Sequence, residues 1–119
     1  MKKTLVLGAS TNSDRYSNAA VHRLLANGHD VVPVGIKSGE IAGLAIQQGE
    51  PAIADVDTVT LYLNPEHQKS YYDYLLNLKP KRIIFNPGTE NPELMRLAQE
   101  HNIEVEIACT LVMLSLDVF

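Results

Sequence analysis

The residues most able to do chemistry are gathered in one stretch, GASTNSDRYSN, Gly8 to Asn18, between an apolar run and a run of helical periodicity. Gly8 permits a tight turn, and Ala9 and Ser10 are small enough for an anion to approach main-chain N–H groups. Arg15 can offer a charge-assisted fork to a phosphate. A helix opening near Ser17, with Ser17 or Asn18 as cap, would aim its positive end at the same place. The chemistry this stretch suggests is anion capture.

What kind of anion depends on the next turn. A dinucleotide site would carry G-x-G-x-x-G in the first loop and an acidic residue at the end of the second strand to hold ribose hydroxyls. Neither is present. Gly35, Ile36 and Lys37 stand at that second position. A cation there favours a ribose bearing an extra phosphate, as in NADP or in the 3'-phosphate of coenzyme A, although Lys37 read alone is a solvated surface charge. Two further turns carry Asn64-Pro65 and Asn86-Pro87-Gly88. Structurally, Asn-Pro opens a helix and Pro-Gly makes a turn; functionally, both provide firm ledges with amide and backbone hydrogen bonds for an extended ligand.

Candidates for catalysis are sparse. His22, His29, His67 and His101 are scattered without the i, i+4 pairing of a helical metal site, and each reads as a solvent-side residue. Asp55 and Asp57, and Glu104 and Glu106, have the spacing of solvated strand faces. Ser10 and Ser17 lack a recognisable base and the spacing of a nucleophile elbow. Cys109, the one cysteine, follows the last strand and reads as a small apolar residue. No catalytic constellation and no metal site is expected, so the chain alone is not expected to be an enzyme.

These turns need elements to position them. TLVLG, Thr4 to Gly8, is a continuous apolar run, as in a parallel strand covered on both faces. Ala20, Val21, Leu24 and Leu25 form one helical stripe that stops at Asn27-Gly28. DVVPVG, Asp30 to Gly35, predicts a second strand with Pro33 near its carboxyl end or beside a bulge. The glycine-rich segment from Ile36 to Asp57 has no sustained stripe and leaves room for one short helix.

TVTLYL, Thr58 to Leu63, predicts a third strand. A helix follows with Asn64 as N-cap, Pro65 at its first position, and Tyr71, Tyr72, Leu75 and Leu76 buried. RIIFN, Arg82 to Asn86, is a fourth strand, and Asn91-Pro92 opens a helix with Leu94, Leu97 and Ala98 inward. IEVEIA, Ile103 to Ala108, alternates as an edge strand with one wet face. The apolar segment after it either packs under the sheet or forms a subunit contact.

Strand and helix alternating in this way predict a Rossmann-like, doubly wound, parallel five-stranded sheet in three α/β/α layers. Its ligand rim lies beyond the carboxyl ends of the strands, where all four unusual turns converge. At 119 residues, 45% hydrophobic and 20% charged, the chain has the size of a single domain, 1–119. A net charge of -4 gives no general attraction for nucleic acid or an anionic membrane, so neither is an expected partner. The opening apolar run is too short for a signal sequence, no stretch would span a bilayer, and one cysteine allows no internal disulfide; a cytoplasmic location is expected.

Taken together, GAS....RYSN, VVPVG.K.GEI.G, the two NP turns with NPG.EN, and the terminal ACTLVML resemble the small single-domain CoA-binding proteins of bacteria and archaea. These are similar to the CoA-binding amino-terminal domain of the succinyl-CoA synthetase alpha subunit. The resemblance implies that Gly8, Ala9, Ser10, Arg15, Tyr16, Ser17 and Asn18 lie against the CoA phosphates and sugar. It implies that Pro33, Val34, Gly35 and Lys37 border the adenosine and its 3'-phosphate, and that Asn64, Pro65, Asn86, Pro87 and Gly88 line the path of the diphosphate and pantetheine arm. The departure is between Leu44 and Asp57, where a short connecting helix of the family is matched only loosely. No counterpart of the synthetase's ligase half follows the fifth strand, so ligase chemistry is not expected.

The expected function is non-catalytic binding of coenzyme A or an acyl-CoA, with an NADP-binding redox protein or sensor as the alternative. Cys109 near the thiol arm would then be placed for a mixed disulfide with CoA under oxidising conditions. A homodimer through the edge strand, or another protein partner, is left open.

Overall fold

The computed structural model describes residues 1–119. Five parallel strands form the main sheet: β1 (Lys3–Leu7), β2 (Asp30–Val34), β5 (Thr58–Leu61), β6 (Arg82–Phe85) and β7 (Glu104–Ile107), in the order β2-β1-β5-β6-β7. Leu5, Val6 and Leu7 of the interior strand β1 are all fully buried, because helices cover both faces and leave no side of the strand for water. Helix α1 (Tyr16–Ala26) and the short α5 (Thr110–Ser115) pack together on one face, with Val6, Val21, Leu24, Val31 and Leu114 in a shared apolar layer. The other face carries α2 (Pro65–Gln68), α3 (Tyr72–Leu78) and α4 (Pro92–Glu100) over Val59, Leu61, Ile83 and Phe85. The doubly wound α/β architecture is the one the alternating pattern predicts.

The sheet order has a functional consequence. From β1 the chain crosses to β2 on one side, then returns to β5 on the other, so the loops after β1 and β5 diverge and open a crevice between them.

Several local details depart from the sequence reading. The Ile36–Asp57 segment contains no helix. Instead, β3 (Glu40–Ile41) and β4 (Leu44–Ala45) pair as a tight antiparallel hairpin, and Gln47 bridges Val34 in parallel, as a rudiment of a sixth strand outside β2. The Gln47 N–H donates to the Pro33 carbonyl at 2.9 Å, so the donor that proline lacks would have pointed toward this nearly open edge. On the far side of the sheet, a 3-10 turn at Lys69–Tyr71 separates α2 from α3 and shifts the helical phase. Tyr74 and Leu75 are buried in consequence, while Tyr71, Tyr72 and Leu76 are only half-buried.

Helix α1 begins one residue earlier than expected, and Arg15 occupies its N-cap position without a side-chain cap. Asn18 does not cap; its Nδ2 donates to the Ser10 carbonyl at 2.9 Å and ties the first loop onto the helix. By contrast, the two Asn-Pro openings behave as read. Asn64 Oδ1 accepts from the His67 N–H at 2.9 Å, and Asn91 Oδ1 from the Leu94 N–H at 3.2 Å.

The edge strand β7 is wet on the face that bears Glu104 and Glu106, though Glu106 reaches Arg82 at 3.1 Å. The terminal apolar segment packs back, with Met113 and Leu114 buried and the Phe119 ring lying 4.4 Å from the Arg82 guanidinium. No helix is long and apolar enough to cross a membrane.

Candidate functional site

The carboxyl rim holds an open cleft of about 570 Å3 at the divergence of the β1 and β5 loops. The first loop contributes Gly8, Ala9, Ser10 and Thr11, and the start of α1 contributes Arg15, Tyr16 and Ser17. The turn after β2 adds Gly35, Ile36 and Lys37. Opposite them stand Tyr62, Leu63 and Asn64 after β5, His67 and Tyr71 from the next helical turns, and Pro87, Gly88 and Thr89 after β6.

Two glycines bring these loops together. Gly8 has φ +99°, and a Cβ there would lie 3.0 Å from the Tyr62 carbonyl carbon. A Cβ on Gly35 would stand 2.3 Å from the Ala9 carbonyl oxygen, so the β1 and β2 turns touch only because that side chain is absent.

The main chain of the first loop divides into used and unused donors. The N–H groups of Gly8 and Ala9 both donate to the Val34 carbonyl, at 2.8 and 2.9 Å, so of the two donors expected to face a ligand Ala9's is used within the chain and Ser10's is not. The donors without a partner in the chain are those of Ser10, Thr11, Ser13, Tyr16 and Ser17; all but Ser13 are at the cleft, and the last two are at the positive end of an eleven-residue helix. Asn12, Asp14 and Arg15 turn their N–H groups back into the loop and hold its shape.

The electrostatics of the cleft are one-sided. Its lining includes Arg15, Lys37 and His67 and no carboxylate, in a chain with 14 acidic and 10 basic residues. Neither Arg15 nor Lys37 takes part in a salt bridge within the chain. The two permanent cations sit on the β1 and β2 side, while the β5 and β6 side is built of Tyr62, Leu63, Asn64, His67, Tyr71 and the Pro87–Thr89 turn. A ligand that suits this surface carries negative charge at one end and an uncharged polar or apolar arm at the other.

Five of the sequence-predicted residues lie outside the cleft lining: Asn18, Pro33, Val34, Pro65 and Asn86. Asn86 is the instructive one. It is 2% exposed; its Nδ2 donates to Thr60 Oγ1 at 2.6 Å and to the Leu61 carbonyl at 2.8 Å, and its Oδ1 accepts from the Thr110 N–H at 2.8 Å. Its polar atoms are thus committed to joining β5, β6 and the start of α5. Pro33 and Val34 are buried strand residues that support the rim from below.

Tyr62, His67, Tyr71 and Thr89 line the cleft without having been expected there. A Pro-Glu-His turn directly after the Asn64 cap was the only available signal for His67. Cys109 is half-buried at the N-cap of α5 and does not line the cleft.

Tyr62 is the one cleft residue with a strongly displaced proton equilibrium. Burial pushes its phenol up to about 12; Thr60 and Thr110 lie near enough to temper the shift, but the hydroxyl meets no partner at hydrogen-bonding geometry. An unfolded chain would lose this proton near the ordinary value of 10.0, so the stabilisation is complete below that pH and is lost as pH rises toward about 12. The loss amounts to roughly 2–3 kcal/mol. Tyr62→Phe should leave stability at neutral pH undiminished, because the hydroxyl has no bond to lose. The same variant should flatten the alkaline limb of a denaturation series, and an unchanged limb would contradict this account of Tyr62.

Comparison with known proteins bears on the same arrangement. The family model described as "CoA binding domain" matches residues 2–115. A crystal structure of an uncharacterized protein superposes with a TM-score of 0.98 at 55% identity, covering 100% of this chain and 98% of that one. A hypothetical protein from Pyrococcus horikoshii OT3 superposes at 0.81 with 27% identity, over 93% of this chain and 80% of that one. The dinucleotide-forming acetyl-coenzyme A synthetase 1 of Ca. Korarchaeum cryptofilum, solved with phosphate and ADP, shares the fold at 0.71 and 20% identity, over 87% of this chain and 25% of that one. Among curated proteins, no sequence matches. With a family model spanning nearly all of the sheet, both helical layers and every loop of the cleft, the chain belongs to the CoA-binding domain family.

Proposed function

We propose that the cleft binds coenzyme A or an acyl-CoA, with the nucleotide on the β1 and β2 side and the pantetheine arm across the β5 and β6 turns. The observation that carries this reading is the charge distribution: two unpaired cations on separate loops and no carboxylate, on an otherwise acidic chain. Arg15 and the free N–H groups of Ser10, Thr11, Tyr16 and Ser17 would take the diphosphate, and Lys37 the 3'-phosphate. The lining opposite, which holds no permanent charge, suits an arm of amides and methylenes.

The proposal includes no chemistry by this chain alone. Neither Ser10 nor Ser17 hydrogen-bonds a base, and Cys109 stands outside the lining. The domain would hold the cofactor and present its thiol or thioester to a protein partner.

NADP, which also carries a phosphate on its ribose, is the competing ligand for Lys37. The missing glycine pattern speaks against it, as does the use of the Gly8 and Ala9 N–H groups within the sheet.

Titration of the wild type and Lys37→Ala with CoA and dephospho-CoA tests the assignment. The wild type should prefer CoA by roughly tenfold or more, a difference of about 1.4 kcal/mol, and Lys37→Ala should erase most of the preference. Equal affinity of the wild type for both ligands would remove Lys37 from the site.

A further inference from the structure

On the β5 and β6 side of the cleft, the two lining loops share no backbone hydrogen bond. One side chain joins them. Gln68 is completely buried, and its Nε2 donates to the Leu63 carbonyl at 2.8 Å and to the Thr89 carbonyl at 2.8 Å; both of those residues line the cleft. Its Oε1 accepts from Asn91 Nδ2 at 2.9 Å, which fixes the amide's orientation: a flipped amide would set oxygen against two carbonyls and NH2 against NH2. Asn91 Nδ2 also donates to the Tyr72 hydroxyl at 2.9 Å, which in turn donates to Glu93 Oε1 at 2.9 Å on the surface. Each polar atom of Gln68 is satisfied, so the network holds one geometry.

We infer that Gln68 is a positioning residue that sets the separation of the Leu63 and Thr89 turns, and with it the affinity for the uncharged arm of the ligand. The inference rests on the CoA reading. Arg15 and Lys37 grip the charged half from other loops and owe nothing to Gln68, so the two halves of the ligand should respond to it differently.

The test compares Gln68→Glu and the shape-matched Gln68→Met with the wild type, using CoA and adenosine 3',5'-bisphosphate, the nucleotide half without the arm and without the outer phosphate that carries it. Both variants should bind CoA about tenfold more weakly, a loss of about 1.4 kcal/mol, while affinity for the bisphosphate stays within about twofold. In Gln68→Glu the new carboxylate faces two carbonyls. As pH falls it should take up a proton and donate to one of them, restoring part of the CoA affinity relative to the wild type at the same pH. Gln68→Met should show no such recovery.

Equal weakening toward both ligands, or none, would overturn the inference, as would a wild type that binds CoA no tighter than the bisphosphate. A wild type that binds neither ligand defeats the CoA reading instead. The brace is then decided by amide exchange without ligand: Gly88 and Thr89 should lose protection in both variants, and unchanged exchange would overturn it.

Discussion

Asn86→Ala is expected to destabilise the fold by about 3–5 kcal/mol while leaving the ligand affinity of the folded protein close to that of the wild type. The substitution removes three hydrogen bonds and strands the Leu61 carbonyl and the Thr110 N–H in the interior. Thr60 is less affected, because its hydroxyl keeps Thr110 Oγ1 at 2.8 Å. Each orphaned group costs on the order of 1–3 kcal/mol when it can reach neither water nor a new partner. Chemical denaturation reads the stability and calorimetry on the folded protein reads the affinity. A large loss of affinity with unchanged stability would place Asn86 in contact with ligand, against the geometry described above.

Gly35→Ala should do the converse and damage the cleft more than its single methyl suggests. The new Cβ would meet the Ala9 carbonyl oxygen at 2.3 Å and Ile46 Cγ2 at 3.2 Å. The nearer contact is with backbone, so no rotamer change relieves it. To make room the first loop must move, and its tethers to Val34 through the Gly8 and Ala9 N–H groups must weaken. Overpacking of this kind costs about 1–3 kcal/mol, and a loop displaced from Lys37 and Arg15 should lower CoA affinity by about tenfold or more. Melting temperature should fall by roughly 4–12 °C. Normal stability and affinity in Gly35→Ala would mean that the β1 and β2 turns are not held in this close approach.

The features legible in the sequence were those written locally. Apolar runs of strand length, stripes of helical spacing and two Asn-Pro openings each report on the few residues around them, and β1, β6, α1 and α4 follow them closely. The rim was legible because alternating strands and helices imply where the connecting turns gather. The roles within those turns were harder to read. Asn86 carries the same Asn-Pro signal as Asn64, but only the neighbouring β5 and α5, brought in by the sheet, make it a buried staple.

Gln68 has a further reason for going unnoticed. A glutamine inside a polar helical stretch is ordinarily solvated, and its burial depends on Leu63, Thr89 and Asn91 converging on it. The Ile36–Asp57 hairpin escaped because its two-residue strands are too short to show a period. The phase shift across Lys69–Tyr71 escaped because a 3-10 turn has no signature in hydrophobic spacing.

Isothermal titration of the purified wild-type chain with CoA, acetyl-CoA, NAD and NADP at one fixed salt concentration decides whether the cleft is a CoA site. CoA and acetyl-CoA should bind saturably, with NAD and NADP weaker by about tenfold or more. Binding of NADP as tight as that of CoA, or no binding of CoA at all, would contradict the CoA assignment.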